Sequence, residues 1–340
     1  MRPNILNLEP YSTARDEYSI GGPGIFLDAN ESPYPNGLNR YPDPHQRKLK
    51  ERIAAIKGLS PDCIFLGNGS DEAIDLVYRV FCTPGRDNVV AIAPSYGMYA
   101  VAAATNDIEM RKVQLGEGWT LPSEKLLAAA DARTKAIFIC SPNNPTGNAF
   151  PVEELLGIVT AFEGIVVVDE AYIDFSGIPS LIGHLGDCPN LIILQTFSKA
   201  WGMAGIRLGM AFASRRIIEL MSMVKYPYNI NCLTQNEVLR HLETGEPDVS
   251  GIISEREMLA QALPEKPFVL KVWPSDANFL LAEVTDANGL YAHLISDGII
   301  VRNRSGVKGC EGCLRFTVGT KEENKKLLES LERYEKSNIR

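Results

Sequence analysis

Three short segments in the middle of the chain carry side chains that fit one kind of chemistry. Asn144 lies in Ser141-Pro-Asn-Asn-Pro-Thr-Gly147, Asp169 opens Asp169-Glu-Ala-Tyr172, and Lys199 closes Gln195-Thr-Phe-Ser-Lys199. An amide, a carboxylate, a phenol and a primary amine brought together suit a Schiff base between the lysine and an aldehyde cofactor. The usual reasons for a lysine or glycine cluster beside a nucleotide are missing, because neither G-x-G-x-x-G nor G-x-x-x-x-G-K-[ST] occurs. Gly67-Asn-Gly-Ser70 adds a glycine-flanked helix start, whose free backbone N–H groups can receive an anion.

These residues need elements that bring them together. Each of the three segments follows a short, unbroken apolar run: Ala136–Cys140, Ile165–Val168 and Leu191–Leu194. Such runs read as strands buried on both faces of a parallel sheet. Between the first two, Pro151–Phe162 reads as a helix with proline at its start and Glu153 and Glu154 in its first turn. Asn144, Asp169 and Lys199 are 25 and 30 residues apart, about one βα unit each. Ligands in open α/β sheets bind beyond the carboxyl ends of the strands, so the spacing predicts a single crevice there. Ile64–Leu66 and Val89–Ala93 read as further strands, and Asp71–Phe81 as a helix with Ser70 as its N-cap. The last third differs: Phe279–Val284, Ile299–Val301 and Leu314–Val318 read as strands of a second sheet. Thr320-Lys-Glu-Glu323 is a capping-box pattern opening a terminal helix.

Composition narrows the class. With 340 residues, two domains are expected, divided near Thr244–Pro247. The net charge of −8 argues against a non-specific nucleic-acid partner. An apolar content of 45% argues against disorder, and no apolar run approaches membrane-helix length. Met1-Arg-Pro-Asn4 leads into no apolar signal region, and the seven cysteines are an odd number, so a cytoplasmic protein with reduced thiols is expected. Cys310 and Cys313 form a lone C-x-x-C without a second pair, which reads as two thiols in a loop and not as a metal site. Arg304 and Lys308 read as solvated charges.

The three motifs in this order, followed by Gly205-Ile-Arg-Leu-Gly209, resemble the fold-type I aminotransferases that use pyridoxal phosphate. Within that class the chain is most similar to the histidinol-phosphate aminotransferase family. That closer likeness rests on Leu8-Glu-Pro-Tyr11, Asn30-Glu-Ser-Pro33, Arg40-Tyr-Pro-Asp43, Gly69-Ser-Asp-Glu72 and Ser95-Tyr-Gly-Met-Tyr99. The resemblance implies an α/β fold in three segments: an N-terminal arm and small-domain segment (1–35), a large cofactor-binding domain (36–245) with a mostly parallel sheet flanked by helices, and a small α/β C-terminal domain (246–340).

It also implies roles. Lys199 would carry the cofactor and shuttle a proton, Asp169 would pair with the protonated pyridine nitrogen, and Asn144 and Tyr172 would hydrogen-bond the phenolic oxygen. Tyr96 would stack on the ring. Ser70 and Asp71 backbone N–H groups, Thr196, Ser198 and Arg207 would cup the phosphate, with the acidic side chains of Asp71 and Glu72 pointing away. Tyr41 would reach the cofactor of a second subunit, implying a homodimer with shared active sites. Arg315 and Arg302 would grip the substrate anion, with Tyr11 and Asn30 adding hydrogen bonds. The implied substrates are L-histidinol phosphate with its ketone, imidazole acetol phosphate, and the pair glutamate/2-oxoglutarate, in histidine biosynthesis. Threonine-phosphate decarboxylases and general aromatic or aspartate aminotransferases share this layout and are the alternatives. A regulator built on such an enzyme would need a DNA-binding domain ahead of Leu27, where only about 26 residues stand.

Overall fold

The computed structural model describes residues 1–9, 11 and 25–338. Pro10 of the Leu8–Tyr11 motif and residues 12–24 of the expected arm lie outside them. Seven strands form the first sheet: β1 (Ile64–Asn68), β2 (Asn88–Ala93), β3 (Glu109–Gln114), β4 (Thr134–Cys140), β5 (Ile165–Asp169), β6 (Leu191–Thr196) and β7 (Leu208–Ala213), in the order β1-β7-β6-β5-β4-β2-β3. The pairs β3/β2, β2/β4, β4/β5 and β5/β6 are parallel, while β7 runs antiparallel to both neighbours.

The apolar runs form strands because the sheet has two dry faces. Ile137, Ile139, Val166, Val168 and Ile193 pack into one core, and Phe138, Val167, Ile192 and Leu194 alternate into the other. Helix Val152–Ala161 connects β4 to β5, with Pro151 as its N-cap residue. The register sets Cys140 opposite Asp169 and Asp169 opposite Leu194, so the carboxyl ends of β4, β5 and β6 are level. The loops after β4 and β6 therefore start beside Asp169, which is what brings Asn144 and Lys199 to the same edge.

The second sheet is antiparallel: β8 (Val269–Val272), β9 (Phe279–Val284), β10 (Arg302–Asn303) and β11 (Cys313–Thr317), in the order β10-β11-β9-β8. Its core joins Leu280, Ala282, Leu314 and Phe316 to Leu327, Leu331 and Tyr334 of the terminal helix Lys321–Asn338. The capping box forms, with Thr320 N–H donating to Glu323 Oε2 at 2.8 Å and Glu323 N–H to Thr320 Oγ1 at 3.3 Å.

Two local expectations are corrected. The helix after β1 spans Ser70–Phe81 with Gly69, not Ser70, at the N-cap, and no side chain caps it. The third C-terminal strand is Arg302–Asn303, not Ile299–Val301. Gly298 turns the chain in the left-handed region at φ 75°, Ile300 is 75% exposed, and pairing begins only where Arg302 meets Arg315.

Candidate active site

Every residue expected to hold the cofactor, Tyr41 excepted, lines one small cavity at the carboxyl edge of the first sheet. Its walls are Gly69, Ser70, Asp71, Tyr96, Cys140, Asn144, Asp169, Ala171, Tyr172, Thr196, Ser198, Lys199 and Arg207. At its floor Asp169 is 3% exposed, accepting from Tyr99 Oη at 2.7 Å and from Ala171 N–H at 3.1 Å. Burial pushes its carboxyl up to about 6, against the pull of those two donors. No basic side chain among the described residues ion-pairs with it. A buried carboxylate in that state calls for a cationic partner from a ligand.

Lys199 stands in the loop after β6, with Nζ 5.5 Å from the centre of the Tyr172 ring. Desolvation lowers its pKa, Arg315 adds to the effect, and Asp169 opposes it. A larger share of neutral amine results, which is what a nucleophilic lysine requires. Asn144 Nδ2 donates to Tyr172 Oη at 3.3 Å, and Asn144 Oδ1 accepts from Arg315 Nη1 at 2.5 Å. The bond preceding Pro145 is cis, as are those preceding Pro94 and Pro142. Burial raises the Tyr172 phenol well above its ordinary range, so it keeps its proton near neutral pH.

The other end of the cavity is an anion cup. Helix Ser70–Phe81 starts there without a side-chain cap, leaving its first N–H groups for a ligand. Arg207, at φ 59°, leans over that end, and its carbonyl accepts from Gly69 N–H at 2.9 Å. Ser198 is held by its own N–H donating to Thr196 Oγ1 at 3.1 Å. Gly69 has φ 73°, and a Cβ there would come within 2.8 Å of Arg207 Nη2. A Cβ on Gly209 would strike the Ser70 nitrogen, so β7 can lie this close to the helix start only with glycine. Gly69→Ala is therefore expected to cost about 1–2 kcal/mol of stability and to weaken cofactor binding by about tenfold or more. Thermal melting and a cofactor titration monitored by absorbance check the two effects separately.

The expectation for the two acids at the helix start holds for Glu72 only. Glu72 turns back, accepting from Asn68 N–H at 2.6 Å and Asn229 Nδ2 at 2.9 Å. The Asp71 carboxylate instead accepts from Tyr96 Oη at 3.0 Å, at the cavity wall, because that phenol needs a partner where it is half-buried. Sequence reasoning missed Tyr99, which donates to Asp169 and sets its position. A tyrosine in an alanine-rich helix reads as core, and only the need of a buried phenol for an acceptor hints at more.

Above the cavity a cleft of about 830 Å³ opens, reached through Asn144, Tyr172 and Lys199. Arg302 and Arg315 line it, and so do Arg304 and Lys308. The reading of those two as merely solvated charges is corrected for Arg304, whose Nε is buried without a partner. Tyr11 and Tyr41 are 74% and 50% exposed, Asn30 is exposed too, and none of them lines the cavity or the cleft. Tyr41 stacks on Tyr228 at 4.4 Å between ring centres. Cys310 and Cys313 are buried free thiols against Leu281, with Trp119 and Trp273 beside them.

The family described as "Aminotransferase class I and II" matches residues 29–331. A histidinol-phosphate aminotransferase of Bacteroides fragilis is 56% identical over 337 residues, 98% of each chain. Among solved structures, the histidinol-phosphate aminotransferase of Clostridium acetobutylicum superposes with a TM-score of 0.80 at 26% identity, covering 88% of this chain and 92% of its own. The L-threonine-O-3-phosphate decarboxylase of Porphyromonas gingivalis has the same fold, with a TM-score of 0.74 at 22% identity, covering 87% and 91%. Enzymes of this class use pyridoxal 5′-phosphate. The cavity fits that cofactor on three counts: a buried unpaired carboxylate for the ring nitrogen, an amine for the aldehyde, and an uncapped helix start with Arg207 for the phosphate. The chain belongs to the class I and II aminotransferases and, within them, to the histidinol-phosphate aminotransferase family.

Proposed function

We propose that the protein transfers the amino group between L-histidinol phosphate and 2-oxoglutarate, giving imidazole acetol phosphate and glutamate, as a step of histidine biosynthesis. The observation that carries this reading is the junction at Lys199: the cofactor cavity lies on one side, and a cleft with Arg302 and Arg315 on the other. Bound pyridoxal 5′-phosphate supplies an electrophilic aldehyde carbon and an electron-withdrawing ring. Lys199 Nζ, with its lowered basicity, would hold the aldehyde and would move the proton on and off the substrate carbon. Asp169 holds the charge on the ring nitrogen, oriented by Tyr99. Asn144 and Tyr172 donate to the phenolic oxygen, and Arg315 restrains Asn144 from the substrate side. Tyr96 would face the ring, and the Ser70 and Asp71 backbone N–H groups, Thr196, Ser198 and Arg207 would hold the phosphate. Arg315 forks either a carboxylate or a phosphate, and Arg302 adds charge for the latter.

The same proposal keeps the three-segment division at residues 35 and 245, supported by the two separate sheets. It includes a homodimer in which Tyr41 reaches the partner's site, supported by exposed Leu27, Tyr34, Leu38 and Tyr226 on the chain's surface. It places the protein in the cytoplasm, in keeping with its free thiols. Among the described residues no helix is long and apolar enough to cross a membrane.

Steady-state assays test the reaction. L-histidinol phosphate with 2-oxoglutarate is expected to yield glutamate, with threonine phosphate giving at least about 100-fold lower kcat/KM, a difference of roughly 2.7 kcal/mol. Carbon dioxide from threonine phosphate, without glutamate from histidinol phosphate, would favour the decarboxylase instead.

A further inference from the structure

We propose that Arg304 is a third guanidinium of the substrate's anion subsite and that it sets the preference for a dianionic phosphate over a carboxylate; this rests on the substrate reading above. Arg304 N–H donates to Cys313 O at 2.8 Å, which extends the β10/β11 ladder by one step beyond Asn303. Side chains two apart on a strand share a face, so Arg302 and Arg304 point the same way. Arg315 stands directly opposite Arg302 in register and shares that face. Asn303 stands opposite Leu314, which is fully buried in the core on the reverse side. The ribbon thus shows three arginines to the cleft and its apolar side to the core.

Among the described residues the cleft offers these cations no acidic partner. Among the described residues no Asp or Glu lines it, and none of the three guanidiniums ion-pairs with a carboxylate. The Nε atoms of both Arg304 and Arg315 are buried without a hydrogen-bond partner. Like charges on one ribbon face repel, and a desolvated cation without a counter-charge is costly. Such an arrangement persists where a ligand brings the anion. A carboxylate presents one charge and two oxygens, which Arg315 alone can fork. A phosphate monoester presents nearly two charges and three oxygens, and leaves acceptors for further guanidiniums.

Arg304→Gln and Arg304→Lys in the cofactor-loaded protein test this. KM for L-histidinol phosphate and for L-glutamate are measured on the same preparation, so that glutamate turnover reports intact sites. We expect Arg304→Gln to raise the ratio of the two KM values by about tenfold or more, with kcat changing less than KM, and Arg304→Lys to fall between, keeping charge without the fork. A ratio within about twofold of wild type in both variants overturns the role of Arg304 while the substrate reading stands. Wild-type protein that does not turn over histidinol phosphate overturns both.

Discussion

Replacing Lys199 with alanine is expected to lower kcat by at least about 10⁴-fold and to remove the visible absorbance of the bound cofactor. Among the described residues Lys199 is the only lysine in the cavity's lining. Its amine combines two tasks that no neighbour can assume: it bonds the aldehyde carbon, and it moves the proton. Tyr172 is a buried phenol whose pKa is raised by burial, so it holds its proton too tightly to serve. Arginine at 199 is expected to fail as well, because a guanidinium supplies no neutral amine near neutral pH. The loss is expected to be chemical and not structural. Among the described residues the Lys199 side chain makes no ion pair or hydrogen bond, so the variant's melting temperature without cofactor should stay within a few degrees of wild type. Absorbance spectra, single-turnover kinetics and thermal melts separate these outcomes.

The second large effect is expected at Asp169. Asparagine keeps the shape but cannot balance a positive ring nitrogen, and kcat should fall by about 10²–10³-fold. The same substitution has a signature in the cofactor-free protein. The folded-state carboxyl sits at about 6, above its ordinary 3.8, because burial penalises the charge. Between these two values the folded state holds more protons than the unfolded one, so this group makes the protein less stable as pH rises from about 4 to about 6. Below about 4 both states are protonated and the penalty is absent; above about 6 it is fully present. Asp169→Asn removes that slope. Melting curves of the cofactor-free proteins at pH 3.5 and 7.5 should therefore converge at the lower pH and show the variant more stable at the higher. Parallel curves would mean that the Asp169 charge carries no burial penalty.

The parts of the site legible in the sequence are those set by local signals. β4, β5 and β6 announce themselves as unbroken apolar runs because both sheet faces are dry. Parallel pairing with level ends then brings Asn144, Asp169 and Lys199 together, so their spacing was enough to place them in one cavity. The capping box at Thr320 is equally local. What escaped depends on register and approach between distant segments. Ser70 looks like an N-cap, but β7 and Arg207 press so closely on the helix start that glycine takes the position. Tyr99 acts through a carboxylate 70 residues away. The alignment of Arg302, Arg304 and Arg315 needs the ladder register, although the R-x-R spacing already places two of them on one strand face. Tyr11, Asn30 and Tyr41 lie on the surface of the single chain, away from the cavity and the cleft, and the role proposed for Tyr41 draws on contacts beyond it.

In the proposed reaction one cavity at Lys199 serves an amine bearing a phosphate. A half-reaction tests it most directly: one equivalent of L-histidinol phosphate added to the cofactor-loaded protein, without any keto acid, followed by absorbance. The expected result is stoichiometric loss of the cofactor's visible band, release of one equivalent of imidazole acetol phosphate, and full return of the band on adding 2-oxoglutarate. A band that persists with histidinol phosphate while L-glutamate bleaches it would rule out histidinol phosphate as the amino donor.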